Sequence, residues 1–246
     1  MLNGLDLFSG IGGMSIALNE WVRPIGYCEI DTYCQAVLFS RMADKSIDNA
    51  PIWDDIRTLP GSDFVGAVDI IYGGFPCQDI SVAGMGKGLE GERSGLFFEI
   101  IRLVKEIRPR FVFLENVSAI RKRGLDTILK VFTETGYDCR WIMLRASAVG
   151  AQHKRERWFL LAHSNSKPSW KANTTPKPDE SSKETRLRST RQDRRDFPFV
   201  HWDEGKCPSL AMDDGFPFEL DQARALGNAV VPEQAKKAFK ILTGIK

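Results

Sequence analysis

Short apolar segments alternate with amphipathic segments throughout residues 1–163, and this alternation limits the fold more than any other feature of the chain. The apolar segments predict strands at 4–8, 24–29, 68–72, 111–116, 137–144 and 157–162. The clearest helix is predicted over 96–108, where apolar side chains recur at the i, i+3, i+4 spacing. Strands that alternate with helices of this length form crossover units. We therefore predict an α/β fold with a mostly parallel sheet covered on both faces.

The overall composition is that of an ordinary globular protein with little charge imbalance. Of 246 residues, 43% are hydrophobic, and 34 Lys and Arg oppose 32 Asp and Glu, so net charge does not identify a partner. No apolar run is long enough to span a membrane, and the N-terminus does not have the pattern of a signal peptide. The five cysteines are scattered and are not spaced as metal pairs. These features predict a cytoplasmic protein with no membrane association and no metal.

Apolar residues become scarce after residue 163. Residues 167–195 contain nine Lys or Arg and four Asp or Glu among many Ser, Thr and Pro. Such a segment is either a solvated, disordered linker or a basic segment that contacts nucleic-acid phosphates, and composition does not decide between the two. A last helix is predicted over 233–242, directly after Pro232, because proline is well suited to a helix start.

A glycine-rich loop follows the first predicted strand, with the sequence DLFSGIGG at residues 6–13. Glycines let the backbone turn tightly and approach a ligand closely. Glu29 ends the second predicted strand nineteen positions after Gly10, where an acid can bind both hydroxyls of a ribose. The pattern favours a nucleoside-bearing cofactor over a tight turn without a ligand. NAD fits less well, because the third glycine of its fingerprint is missing.

Polar residues lie at one end of three of the later predicted strands. Cys77 lies in GGFPCQ, and Glu115 ends the strand 111–116. Ligands collect at the carboxyl ends of parallel strands, so both residues are expected at one sheet edge. A lone cysteine is usually inert, but the flanking glycines and proline favour an exposed elbow for a reactive thiolate. Arg155 and Arg157 alternate, which suits a carbonyl oxygen or phosphate, although a solvated basic turn is the plain alternative.

In their order along the chain, these motifs resemble those of C5-cytosine DNA methyltransferases. The strongest match is Pro-Cys-Gln followed by Glu-Asn-Val, and the glycine loop, the Arg-Glu-Arg segment and ALGNAVVP at 225–232 agree with it. The resemblance covers about 1–163 and 222–242, and the short form is most similar to bacterial and phage members. It implies a Rossmann-like S-adenosylmethionine-dependent methyltransferase fold with a small, irregular target-recognition segment.

The resemblance also implies a pocket for S-adenosyl-L-methionine. Glu29 would hold the ribose, Ile30 the adenine face and Asp55 the adenine amino group, and the far end of the chain would close the pocket. The implied cofactor-binding residues are Phe8, Ser9, Gly10, Ile11, Gly12, Glu29, Ile30, Asp55, Ile56, Pro76, Leu96, Asn228 and Ala229.

The reaction that the resemblance implies is methyl transfer to C5 of a cytosine flipped out of double-stranded DNA. Cys77 would add to C6, Glu115 would hydrogen-bond and protonate N3, and Arg157 with Arg155 would hold O2. The glycine-rich loop 81–93 would close over the base. The implied substrate contacts are Gln78, Ser81, Lys87 and Asn116.

The same resemblance divides the chain into a catalytic domain, 1–163 plus 213–246, and a target-recognition region, 164–212. That region is short and polar, so it does not predict a recognition sequence, and specificity could be low or require a partner. We expect a monomer that acts on double-stranded DNA in a bacterial cell or a phage-infected bacterium. A restriction endonuclease or a specificity protein would be its further partner.

Three other functions remain open. A methyltransferase of the same fold could act on tRNA cytosine, although Gln78 after Pro-Cys favours DNA. The chain could be an inactive, cofactor-binding regulator, but the presence of Cys77, Glu115 and Arg157 together argues against this. A dinucleotide-dependent oxidoreductase is the weakest alternative.

Overall fold

The computed structural model describes residues 1–76, 95–166 and 229–245. Within these residues a single sheet of seven strands has the order β3-β2-β1-β4-β5-β7-β6. Strands β1 to β5 are parallel, whereas β7 runs antiparallel to both β5 and β6. This confirms the predicted α/β fold with a mostly parallel sheet. The strands are β1 (Leu2–Leu7), β2 (Val22–Cys28), β3 (Ile52–Trp53), β4 (Ile70–Gly74), β5 (Phe111–Val117), β6 (Tyr137–Arg145) and β7 (Glu156–Ser164).

Helices cover both faces of the sheet. Helices α3 and α5 pack on one face, α1 and α6 on the other, and α2 packs near the β2 edge. Strand β5 is buried on both faces: Phe111 and Phe113 face α1 and α6, while Val112 and Leu114 face α3 and α5. The described helices are α1 (Gly13–Leu18), α2 (Thr32–Ala43), α3 (Leu96–Ile107), α4 (Ile120–Arg123), α5 (Leu125–Glu134) and α6 (Pro232–Thr243).

Two details of the strand prediction were wrong. Strand β3 was missed, because two residues at the sheet edge carry no alternating pattern. Phe8 was predicted as the end of the first strand, yet its φ of 53° belongs to the left-handed region, and β1 ends at Leu7. The strand therefore turns into the glycine loop one residue earlier than expected.

Helix α6 joins the far end of the chain to the sheet built by the N-terminal residues. Its apolar face, formed by Ala235, Ala238, Phe239 and Leu242, is buried against α1, β6 and β7. Phe239 meets Phe113 of β5 edge-on, with ring centroids 5.2 Å apart. None of the helices in 1–76, 95–166 and 229–245 is both long and apolar enough to cross a membrane.

Gly73 lies on β4 opposite Leu7 of the neighbouring strand β1. Its φ is 157°, and a Cβ there would lie 1.9 Å from the carbonyl oxygen of Leu7. We expect Gly73→Ala to lower the free energy of unfolding by about 3 kcal/mol, because the two strands must separate to admit the methyl group. Denaturant unfolding measures this loss. Gly95→Ala is the control, since no atom of the described residues other than its neighbours lies within 4 Å of a Cβ at Gly95; equal midpoints for the two variants would contradict the expectation.

Candidate active site

The loop between β1 and α1 lies at the carboxyl edge of the sheet, where Phe8 and Gly10 are partly exposed and the other loop residues are buried. Phe8, Gly10 and Gly12 have φ values of 53°, 53° and 82°. Ser9 is buried beneath the loop, where its Oγ donates to the carbonyl of Asp6 at 2.9 Å. Apart from its chain neighbours, no atom of the described residues lies within 4 Å of where a Cβ on Gly10 would be. The described part of the chain therefore leaves this point of the backbone accessible.

Glu29 braces this loop from the end of β2. Its Oε2 accepts from the backbone N–H of Gly10 at 2.7 Å, and its Oε1 accepts from that of Asp31 at 2.8 Å. An ionised carboxylate has about four acceptor positions, so each oxygen can still accept a further hydrogen bond. Beside it the Ile30 side chain is 64% exposed, which is unusual for isoleucine. An open loop, a fixed carboxylate and an exposed apolar side chain fit a nucleoside-bearing cofactor such as S-adenosylmethionine.

The segment after β3 was predicted to contact adenine, and in the structure its residues already have partners within the protein. The Asp55 carboxylate forms an ion pair with Arg57, with Nη2 and Oδ2 2.7 Å apart. Any adenine amino group must therefore share this carboxylate with Arg57. The Ile56 side chain is buried in the core, and its carbonyl accepts from Arg102 Nη2 at 2.8 Å. The Ile56 side chain thus belongs to the core, and a contact between Ile56 and the cofactor remains a prediction.

Four other predicted cofactor residues lie around the same sheet edge. Pro76 is exposed after β4, and Leu96 is partly buried at the start of α3. Ile11 is buried, and its carbonyl accepts from Arg41 Nη1. Ala229 is half-buried, and its carbonyl accepts from Arg155 Nη2 at 2.8 Å. Their contacts with a cofactor remain predictions.

A carboxyl group and a guanidinium form the centre of the site between β5 and β7. Because β7 is antiparallel, it begins at the edge where β5 ends, and Arg157 lies opposite Val117. Arg157 Nε is 2.8 Å from Glu115 Oε1, and Glu115 is only 7% exposed. Burial raises the pKa of Glu115 to about 7, although Arg157 and then Arg155 act to lower it. The group can therefore hold or release a proton near neutral pH.

The end of β4 lies directly against this carboxyl group. A Cβ on Gly74 would be 2.7 Å from Glu115 Oε2, so only glycine leaves the carboxyl group where it is. Asn116 fixes the next two residues, because its Nδ2 donates to the carbonyl of Phe75 at 2.9 Å. Its Oδ1 accepts from the backbone N–H of Val117 at 2.8 Å. The predicted contact of Asn116 with the substrate remains a prediction; the contacts observed hold Phe75, two residues before Cys77.

Arg155 lies directly before β7. It is partly buried, and burial is the main cause that lowers the pKa of its guanidinium, with Arg157 adding to the effect. An arginine nevertheless stays charged in proteins. Two positive groups therefore lie near Glu115, an arrangement suited to a ring with a carbonyl oxygen beside a protonatable nitrogen.

A buried polar network supports the glycine loop from the face of α1. Ser15 Oγ donates to Asp6 Oδ2 at 2.5 Å and lies 2.8 Å from Tyr72 Oη. Burial raises the pKa of Asp6 to about 8, so this carboxyl group is protonated at neutral pH. Asp6 is therefore a neutral structural group beneath the loop.

Several predicted site residues lie outside the described part of the chain. They include the proposed nucleophile and most of the predicted recognition region, 167–212, together with the loop 81–93. Their roles remain predictions. The residues are Cys77, Gln78, Ser81, Lys87 and Asn228.

One buried polar residue near the site was missed from the sequence. Gln234 is 0% exposed on α6, and its side chain donates to the carbonyl of Arg155 at 2.9 Å. The available signal was a polar residue beside the apolar stripe of the last helix.

The sheet order, the glycine loop after β1 and the acid after β2 define the class as the Rossmann-like fold of S-adenosylmethionine-dependent methyltransferases. The chain belongs to the C-5 cytosine-specific DNA methylase family, whose sequence profile matches residues 2–213. Solved structures agree with the fold. A prophage-encoded E. coli protein described as a DNA modification methyltransferase is 28% identical, with a TM-score of 0.53 over 67% of this chain and 47% of that one. A Spodoptera frugiperda DNMT2 mutant is 20% identical, with a TM-score of 0.58 over 73% and 54%.

Curated relatives include type II methyltransferases. The chain is 40% identical over 159 residues to M.CviJI of Paramecium bursaria Chlorella virus IL3A, covering 64% of this chain and 42% of that enzyme. It is 34% identical over 169 residues to M.HhaI of Haemophilus parahaemolyticus, covering 67% and 50%. The matched part of the chain thus spans half or less of these two relatives.

Proposed function

We propose that this protein is a DNA (cytosine-5-)-methyltransferase that moves a methyl group from S-adenosylmethionine to C5 of cytosine in double-stranded DNA. The observation that carries the proposal is the contact between Glu115 and Arg157, which lies beside the end of β4 three residues before Cys77. A carboxyl group with a pKa near 7 suits the N3 nitrogen of cytosine, and a guanidinium suits the neighbouring O2. Membership of the family and the type II relatives support DNA as the substrate.

The proposed chemistry begins with a target base outside the duplex, because C5 and C6 are inaccessible while the base is stacked. The Cys77 thiolate adds to C6, forming a C6–Sγ bond. Glu115 transfers its proton to N3 and Arg157 donates to O2, so the negative charge that builds up in the ring is neutralised. Arg155 adds a second positive group. The electron pair from the C5–C6 double bond becomes available at C5.

S-adenosylmethionine, when bound, supplies an electrophilic methyl group. C5 forms the bond to this methyl group as the methyl–sulfur bond of the cofactor breaks, and C5 then gives its own proton to solvent water. The C6–Sγ bond breaks as N3 returns its proton to Glu115, which restores the aromatic ring, the Cys77 thiolate and the protonated carboxyl group. Splitting one difficult substitution into addition, transfer and elimination is the advantage of covalent catalysis.

The glycine loop and Glu29 are proposed to hold the cofactor, with the ribose hydroxyls donating to the two Glu29 oxygens. The exposed Ile30 would cover one face of the adenine. Asn228 would close the pocket beside Ala229, and Gln78, Ser81 and Lys87 would contact the DNA. The wider partners proposed here are double-stranded DNA and a restriction endonuclease or specificity protein.

Glu29→Ala should weaken the binding of S-adenosylmethionine by roughly 10- to 100-fold, because two charge-assisted hydrogen bonds are lost. Isothermal titration with the cofactor alone measures the change. Glu20→Ala is a matched control, since that exposed carboxylate on the other side of α1 contacts Lys236. Equal affinity in Glu29→Ala and the unsubstituted protein would rule out the ribose role.

The proposed function is tested by incubating the protein with S-adenosylmethionine labelled in the methyl group and, separately, with unmethylated duplex DNA and with tRNA. We expect label on DNA, located at cytosine C5. Label at one sequence context would show that the chain reads sequence, and scattered label would show loose recognition. Label on tRNA alone would refute the assignment to DNA. Cofactor binding with no transfer to either substrate would favour the inactive regulator.

A further inference from the structure

We infer that Gln234 is a positioning residue that sets the place of Arg155 in the active site, an inference that rests on the proposed function. Gln234 lies in the first turn of α6 and is completely buried. Its Nε2 donates to the carbonyl of Leu144 at 2.8 Å and to that of Arg155 at 2.9 Å. Leu144 is near the end of β6 and Arg155 comes just before β7. One side chain thus joins both backbones at the sheet edge that carries the site.

The orientation of this amide follows from its partners. Carbonyl oxygens can only accept, so the NH₂ group must face Leu144 and Arg155. The opposite atom, Oε1, is buried and has no hydrogen-bond partner among the described residues. A buried acceptor without a partner is destabilising. An apolar side chain of the same shape would avoid that loss but would remove both donated hydrogen bonds, so the link to Leu144 and Arg155 is what glutamine contributes at this position.

Residues of the C-terminal segment 229–245 contact both the main chain and the side chain of Arg155. The Arg155 carbonyl accepts from Gln234 and also from the backbone N–H of Ala146, at 3.0 Å. The guanidinium donates through Nη2 to the carbonyl of Ala229 at 2.8 Å. Without the hydrogen bond from Gln234, the main chain of Arg155 is held less tightly and can shift. The guanidinium then moves relative to Glu115. A shift of about 1 Å at a reacting centre can lower a rate by roughly 100-fold.

The same contacts predict which step is affected. Within the described residues, the side-chain hydrogen bonds of Gln234 go to β6 and to the segment before β7, and none goes to the glycine loop. Loss of these bonds should therefore slow transfer to DNA while cofactor binding is kept.

The test is Gln234→Met, which keeps the length and apolar stem of the side chain but cannot donate. We expect kcat for methyl transfer to duplex DNA to fall roughly 10- to 100-fold. The Kd for S-adenosylmethionine should stay within about twofold of the unsubstituted value. Amide hydrogen exchange across residues 146–157 should become faster. Unchanged turnover in this variant would overturn the inference.

Phe239→Leu is the matched control. Phe239 is buried on the same helix and packs against Phe113 and Trp21, so its truncation loosens α6 without removing a hydrogen bond to Arg155. We expect this variant to lose thermal stability and to keep kcat near the unsubstituted value. If it loses as much kcat as Gln234→Met at equal loss of Tm, the role of Gln234 is only structural and the inference is wrong.

A second variant, Gln234→Glu, gives a readout that a purely structural role would not produce. Glutamate keeps the shape, and it can donate a hydrogen bond only when protonated. Its deficit in kcat relative to the unsubstituted protein should therefore shrink as the pH falls, and a deficit that does not change with pH would count against the inference. If the unsubstituted protein transfers no methyl to DNA, the proposed function fails, and the effect of Gln234 on the reaction fails with it. Hydrogen exchange would then still report separately on the structural link between Gln234 and Arg155.

Discussion

Cys77→Ser should abolish methyl transfer to DNA, lowering the rate by at least about 1,000-fold, while S-adenosylmethionine binds almost as well as before. A serine hydroxyl is far less nucleophilic than a thiolate and cannot form the C6–Sγ bond on which the later steps depend. Cofactor affinity is kept because most residues assigned to the cofactor, such as Gly10 and Glu29, follow other strands, β1 and β2, than the one that precedes Cys77. Labelled-methyl transfer and cofactor titration on the same sample measure the two quantities.

Cys139→Ser is the matched control for that experiment. Cys139 lies on β6, and burial raises the pKa of its thiol to about 12, so it supplies little thiolate at neutral pH. Transfer should therefore continue in this variant. Turnover by Cys77→Ser near the unsubstituted rate would remove the covalent mechanism, whatever happens to cofactor binding.

Glu115→Gln should lower kcat by roughly 100- to 10,000-fold, the range expected when a general acid is lost. Glutamine keeps the shape of the side chain and can still hydrogen-bond to N3, but it has no proton to transfer. Glu156→Gln is the control, because it makes the same chemical change at the same sheet edge in a carboxylate that pairs with Arg145. Similar rates for the two variants would exclude Glu115 as the acid.

The pH dependence provides a second readout for Glu115. Burial raises its pKa from 4.5 to about 7 in the folded protein, and the protonated form is the proton donor. We therefore expect kcat/KM to fall as the pH rises through about 7, and Glu115→Gln to lose this limb. The stability of the folded protein is also expected to decrease as the pH rises. The folded state binds this proton more tightly than the unfolded state, so the contribution of Glu115 to stability declines between about pH 4.5 and pH 7.

The sequence predicted the strands of the sheet centre well, because their apolar patterns are long and bounded by turn residues. Strand β5 was predicted over 111–116 and extends one residue further. The edge strand β3 is two residues long and has no periodic pattern to find. The sheet order, with β7 antiparallel between β5 and β6, depends on which strands pair, and local sequence does not specify that.

In the candidate site, too, some features could be predicted from the sequence and others depend on how the strands pair. Glu115 and the arginine pair could be placed at one edge because strand ends carry them. Their 2.8 Å contact could not be predicted, since it depends on β7 running antiparallel to β5. Gln234 was missed because its partners are main-chain carbonyls, which no side-chain motif reveals, and Arg155 lies 79 positions away in sequence. The pairing of Asp55 with Arg57 was likewise not predicted, because charged residues in a turn have many other possible partners.

The central claim is that Cys77 forms a covalent bond with cytosine during methyl transfer. The most direct test uses duplex DNA that carries 5-fluorocytosine at the sites methylated in the labelling experiment. Fluorine at C5 cannot leave as a proton does, so after methyl transfer the C6–Sγ bond cannot break and the complex is trapped. We predict a product with the mass of the protein, the DNA and one methyl group, formed only with S-adenosylmethionine and attached to the peptide that contains Cys77. Absence of this adduct under conditions in which normal DNA is methylated, or attachment at another residue, would contradict the account.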